Sequence, residues 1–213
     1  MKYLTFVVLL FFKATSAFAS ETITFDGSWK EQGFLRLFSN DYLQRGRKLD
    51  VISDDTVSVL WKPLNSSLHS VETASWLWRV TEGVVPTDLT VKGGDDRNLA
   101  IYFVFVDVDR VNRLTNRNAR RILREDSARA VVYVWGGEHR EGAILPSPYS
   151  PQLRSKVLRV AKVGEYSESV DLLSDFRQAF SAEPGALIGL AVSADSDDTN
   201  GSIFASIEDL KFK

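Results

Sequence analysis

The sequence predicts an all-β protein: an antiparallel two-sheet β-sandwich of jelly-roll type with one late amphipathic helix. Three observations lead there. Most apolar runs are short, rich in Val, Ile, Phe, Tyr and Trp, and bounded by Gly, Pro, Asp, Asn or Ser, as strands in an antiparallel protein are. Only one segment has a clear amphipathic helical period and it comes late, which does not fit alternating strand–helix units. The composition is that of an ordinary globular chain, with 213 residues, 44% hydrophobic, 25% charged and a formal net charge of −2.

The expected strands run in order at 22–25, 34–38, 56–61 and 76–80. In the last of these, alternation puts Trp76, Trp78 and Val80 on one face and Leu77 and Arg79 on the other. The long apolar run 99–108 reads as buried on both faces, and 130–135 is the next central strand. Strands at 156–163, 187–193 and 203–212 complete the set. The helix is expected over 170–180, where Val170, Leu173, Phe176 and Phe180 recur three and four apart while Asp175, Arg177 and Gln178 face outward. Pro184 and Gly185 end it. Between two strands, Arg110, Arg113, Arg117, Arg120, Arg121 and Arg124 fall at spacings that suggest a short solvated helix or loop.

Lys2 gives a cationic start, residues 4–12 are almost unbroken apolar, and Ala17-Phe18-Ala19 has the small-x-small pattern of a cleavage site. This is the arrangement of a secretory signal. The apolar run is shorter than the roughly 20 residues a spanning helix needs. The expectation is a signal peptide at 1–19 and one β-sandwich domain over 20–213, periplasmic or secreted after cleavage near Ala19, with no stable membrane anchor. The chain has no Cys, so an exported product would be held by apolar burial rather than by disulfides. Its mildly acidic balance gives no pull toward nucleic acid.

Only two histidines exist, His69 and His139, and neither sits in a recognised pattern, which disfavours a Ser–His–Asp triad or a His-rich zinc site. Carboxylates are the remaining chemical resource. They cluster at Asp95 and Asp96 and again at Asp195, Asp197 and Asp198, each group beside an expected strand. Oxygens converging from two such loops could chelate Ca²⁺. The second loop approaches the D-x-[DN]-x-[DN]-G pattern, but Thr199 stands at the third ligand position and Gly201 comes one residue late. The same residues also read as turn chemistry, with side chains bonding nearby backbone amides. The aromatic residues Trp76, Trp78, Tyr102, Tyr133 and Trp135 lie on central strands and read first as core and second as a sugar-stacking platform.

Taken in order, Trp76-Leu-Trp-Arg-Val, Asp88 to Lys92, Gly94-Asp95-Asp96, Tyr102-Phe-Val-Phe105, Tyr133-Val-Trp135, Asp175-Phe-Arg-Gln-Ala-Phe180 and Asp195-Ser-Asp-Asp-Thr199 form a series. It resembles the family of secreted, mostly proteobacterial proteins catalogued as domain of unknown function 3047. The resemblance covers roughly 25–212 and implies export and one predominantly β domain, with no established activity. The family's W-x-W corresponds to Trp76 and Trp78, its K-x-G-D-D to Lys92, Asp95 and Asp96, and its Y-V-W to Tyr133 and Trp135. Its D-T-D-N-T loop corresponds to Asp195, Asp197, Asp198 and Thr199. This chain departs at Ala100 and Val170, where the family usually has Arg.

The leading functional expectation is a non-catalytic, ligand-binding β-sandwich that takes a glycan or another envelope component where the Asp loops and the aromatic strands meet. Its binding candidates are Trp76, Trp78, Lys92, Asp95, Asp96, Tyr133 and Trp135. Ca²⁺ is the one cofactor in view, with Asp95, Asp96, Asp195, Asp197 and Asp198 as candidate ligands. The alternatives are a carboxylate-dependent polysaccharide-cleaving enzyme, using Asp95, Asp96, Asp195 and Asp197, and a structural envelope protein held by partners through residues 110–124.

Overall fold

The computed structural model describes residues 20–33, 39–114, 117–122 and 124–213. The leader expected at 1–19 and the strand expected at 34–38 lie outside the described residues. The strands are β1 (Glu21–Thr22), β2 (Lys30–Gly33), β3 (Asp41–Arg45), β4 (Lys48–Asp54), β5 (Val57–Pro63), β6 (Thr73–Glu82), β7 (Arg97–Val106), β8 (Arg129–Trp135), β9 (Ile144–Pro146), β10 (Leu153–Arg159), β11 (Gly164–Asp171), β12 (Ala186–Asp195) and β13 (Ser202–Phe212). The helices are α1 (Val111–Leu114), α2 (Ala119–Ile122) and α3 (Leu172–Phe180).

The strands form the two-sheet β-sandwich that the sequence predicts. One sheet has the order β11-β6-β13-β4-β3, with β1 added to the far end of β13. The other has seven strands in the order β2-β5-β12-β7-β8-β10-β9. Pairing is antiparallel except between β8 and β10, which run parallel through Leu153↔Ala130 to Arg159↔Trp135.

Strand β6 alternates as its sequence does, so Trp76, Trp78 and Val80 enter the space between the sheets and Arg79 stays outside. They meet Leu99, Ile101, Phe103 and Phe105 of β7 and Val131, Tyr133 and Trp135 of β8 in the main core. The seven-stranded sheet is covered on its outer face too. Ala100, Val104 and Val106 of β7, Ala130, Val132 and Val134 of β8, and Ala186, Ile188 and Ala191 of β12 form a second apolar cluster, closed by Leu114 and Ile122 of the segment carrying α1 and α2. That cover is why β7 and β12 read as unbroken apolar runs, as strands buried on both faces do.

Helix α3 begins two residues later than its periodicity suggests. Val170 and Asp171 continue β11, paired with Ala74 and Thr73. Asp171 then caps the helix by accepting a hydrogen bond from the Ser174 amide at 2.8 Å. Ser181, in the left-handed conformation at φ 53°, ends the helix before Pro184 is reached. Asp175, expected to face outward, is buried instead, taking hydrogen bonds from Tyr133 Oη at 2.8 Å and Lys156 Nζ at 2.6 Å. Among the described residues no helix is long and apolar enough to cross a membrane.

Candidate functional site

A cleft of about 590 Å³ opens on the outer face of the seven-stranded sheet. Alternation along β5 sends Val57, Val59 and Trp61 to its floor, and Val104, Val132 and Ala191 join them from neighbouring strands. The arm between β7 and β8 supplies one wall through Ala119, Arg120 and Arg124, and the loop before β10 supplies another through Tyr149. Trp61 lies flat enough on β12 that a side chain at Gly189 would have no room, since a Cβ there would sit 1.9 Å from the indole ring.

The polar end of the cleft is built around Arg97, at the start of β7 and in register with Asp195 at the end of β12. One guanidinium nitrogen, Nη1, donates to Asp195 Oδ2 at 3.2 Å, to the Asp95 carbonyl at 2.6 Å and to Asp95 Oδ2 at 3.5 Å. The other, Nη2, donates to Tyr102 Oη at 2.7 Å and to Ser193 Oγ at 3.2 Å. Gly136 permits this placement, because a Cβ there would fall 2.7 Å from Arg97 Cβ. Asp95 Oδ1 accepts from Tyr149 Oη at 3.0 Å, and Lys92 Nζ sits 5.7 Å from the centre of the Tyr149 ring.

Asp195 is the group with the most altered electrostatics. It is 5% exposed and its Oδ1 has no hydrogen-bond partner. Burial pushes its carboxyl up to about 8; Arg97 opposes that rise, and the charges of Asp95, Asp197 and Asp96 add to it.

Asp96 does different work. Fully buried, it accepts hydrogen bonds at Oδ1 from the Asp198 amide at 3.3 Å and at Oδ2 from the Thr199 amide at 2.8 Å and the Thr199 hydroxyl at 2.5 Å. It ties the loop after β12 to the segment before β7, the turn chemistry expected of such residues.

The five-carboxylate calcium cage therefore divides in two. Asp95 and Asp195 close on the Arg97 guanidinium, which stands where a second cation would have to sit. Asp96, Asp197 and Asp198 each offer an oxygen within 4.8 Å of the others. Three carboxylates, one of them already accepting three hydrogen bonds, fit poorly the six to eight oxygen ligands Ca²⁺ takes.

The aromatic binding candidates are corrected as well. Trp76, Trp78, Tyr133 and Trp135 are at most 3% exposed and pack between the sheets, on the face opposite the cleft. Trp76 and Trp78 meet edge to face at 5.5 Å between centroids. The polar atoms of three of the four are occupied: Trp78 Nε1 donates to Glu168, Tyr133 Oη to Asp175 and Trp135 Nε1 to the Lys162 carbonyl. Ala100 and Val170 are both buried in apolar surroundings.

The cleft residues that sequence reasoning passed over are Arg97, Trp61 and Tyr149, with Ser193 buried behind Arg97 as its hydrogen-bond partner. The available signal was in β5, where Val57, Val59 and Trp61 make one face apolar and Leu60 adds an apolar residue to the other. Such a strand has both faces covered.

Two packed sheets, with a cleft on the outer face where ring side chains meet an Arg-centred carboxylate cluster, define a β-sandwich with one elaborated outer face. The chain belongs to the family described as protein of unknown function DUF3047, whose profile matches residues 27–211. No curated protein matches the sequence. Among solved structures it is similar to the xyloglucanase domain of NopAA, a type three effector from Sinorhizobium fredii in complex with cellobiose, with 7% identity and a TM-score of 0.48 over 87% of this chain and 92% of that one. It is also similar to a loop-swap mutant of Necallimastix patriciarum Xyn11A, with 10% identity and a TM-score of 0.43 over 93% of this chain and 97% of that one.

Proposed function

We propose that this chain is exported and binds a glycan in the cleft on the outer face of the seven-stranded sheet. The observation that carries the reading is a pair of buried polar atoms on the cleft residues without hydrogen-bond partners, Trp61 Nε1 and Asp195 Oδ1. An unpaired buried polar atom costs about 1–3 kcal/mol. Sugar hydroxyls both donate and accept, so a saccharide carries the kind of partner each atom lacks. The apolar floor suits the C–H faces of sugar rings, and Tyr149, 58% exposed at the rim, offers a ring face beside Asp95.

Titration calorimetry with soluble cello-, xylo- and chito-oligosaccharides tests this. Saturable binding to one series is expected, weakened about tenfold by Trp61→Phe or Tyr149→Ala, a loss of roughly 1.4 kcal/mol. No saturable binding in any series overturns the reading.

A further inference from the structure

We propose that Asp195 and Asp95 form a proton-donor and nucleophile pair that cleaves a glycosidic bond in this cleft. The inference rests on the glycan-binding reading and adds a reaction to it.

The geometry carries it. Asp195 Oδ2 and Asp95 Oδ2 both lie within 3.5 Å of the same Arg97 nitrogen, so their separation is at most twice that distance. Double-displacement glycoside cleavage uses carboxyl groups about 5 Å apart, which that bound admits, whereas single displacement holds them about 6.5–9.5 Å apart to admit a water, nearly all of it beyond the bound. Both side chains line the cleft. Their surroundings differ in the way the two roles require. Asp95 accepts from the Tyr149 hydroxyl and from Arg97 and is 17% exposed at its side chain, while Asp195 is 7% exposed and one of its oxygens has no partner. Burial that keeps Asp195 in its acid form near neutral pH supports the donor role. Its terminal carboxyl torsion is soft, so either oxygen can be turned toward a ligand. Arg97 is a positioning residue, fixed by five hydrogen bonds to Asp95, Asp195, Tyr102 and Ser193.

The steps balance within the pair. Asp95 attacks the anomeric carbon as the bond from that carbon to the bridging oxygen breaks. The bond's electrons go to the oxygen, which takes the Asp195 proton and leaves as an alcohol. Asp195, now a carboxylate, then removes a proton from water; the resulting hydroxide oxygen bonds the anomeric carbon, the ester to Asp95 breaks, and both residues regain their starting forms. Acetal cleavage asks for two carboxyl groups and water, which matches the ionisable groups at this end of the cleft.

The test uses the full chain and whichever oligosaccharide series the calorimetry shows to bind, with reducing-end release as the readout. Wild type is expected to release ends. Asp195→Asn, which keeps the shape of the neutral acid, and Asp95→Asn are expected to bind with unchanged stoichiometry and to lose at least about a hundredfold in rate. Melting curves establish that both variants fold. Sodium azide is expected to restore turnover of an aryl glycoside by Asp95→Ala, giving a glycosyl azide. Binding by wild type without release of ends overturns the reaction and leaves the binding reading standing. Turnover retained in either Asn variant also overturns the pair, and no binding by wild type removes both.

Discussion

Asp96 Oδ2 accepts from both the backbone amide and the side-chain hydroxyl of Thr199, joining the segment before β7 to the loop after β12. With Asp96 fully buried, removing its carboxylate strands two amides and a hydroxyl. Asp96→Ala is therefore expected to cost about 2–4 kcal/mol in stability, read as a lower urea midpoint at unchanged slope. An unchanged midpoint would show that this tie is not what holds the two loops together.

Gly189 is where the cleft floor and the fold make one demand. A methyl there meets the Trp61 ring at 1.9 Å, so either the indole or strand β12 has to move. Gly189→Ala is expected to destabilise by about 1–3 kcal/mol, as overpacking does. Quenching of Trp61 fluorescence, isolated by comparison with Trp61→Phe, reports whether the ring is displaced into solvent. A variant as stable as wild type with unchanged emission contradicts this.

How much of this was legible beforehand follows from the same residues. Strands β6, β7, β8, β12 and β13 announce themselves because each buries a face or both faces in apolar side chains. Strands β2, β3 and β11 do not: Lys30–Gly33, Asp41–Arg45 and Gly164–Asp171 are polar edge segments, and charge on an edge blunts pairing with other chains. Asp95, Asp96 and Asp195 stand out as residue types, but not their separate duties, which depend on where Arg97 points. Trp61 and Trp76 are the same residue on similar strands. Only the sheet order reveals that one faces the cleft and the other the main core.

The Tyr133–Asp175 bond gives a third expectation, in the core rather than the cleft. Tyr133 is fully buried and donates to Asp175 at 2.8 Å, while Lys156 approaches the other oxygen at 2.6 Å. Burial and the Asp175 charge hold the Tyr133 hydroxyl far above its usual range, so it stays protonated. Tyr133→Phe removes one donor and leaves the ion pair, and is expected to cost about 1–2 kcal/mol. Asp175→Ala leaves a hydroxyl and an ammonium without their acceptor and is expected to cost more. Thermal unfolding of the two variants side by side checks the order; equal losses would mean that Lys156 does not depend on Asp175.

Asp195 sets the pH dependence of stability. Its carboxyl is ordinarily half-ionised at 3.8 and is raised to about 8 in the fold, where burial outweighs Arg97 and the charges of Asp95, Asp197 and Asp96 add to the rise. Between those values the native state holds a proton that the unfolded chain releases, so unfolding is favoured as pH increases. The contribution from Asp195 is thus fully present below about pH 4 and is lost as pH rises through about 8. Asp26 acts in a different window: hydrogen bonds from Ser28 and Thr24 lower its carboxyl, so its contribution is present above the ordinary carboxylate range and lost in more acid solution. Melting temperature is therefore expected to fall from pH 5 toward pH 8 in the wild type. Asp195→Asn, which cannot ionise, removes that slope. Parallel slopes in the two proteins would show that Asp195 ionises in the fold as it does in water.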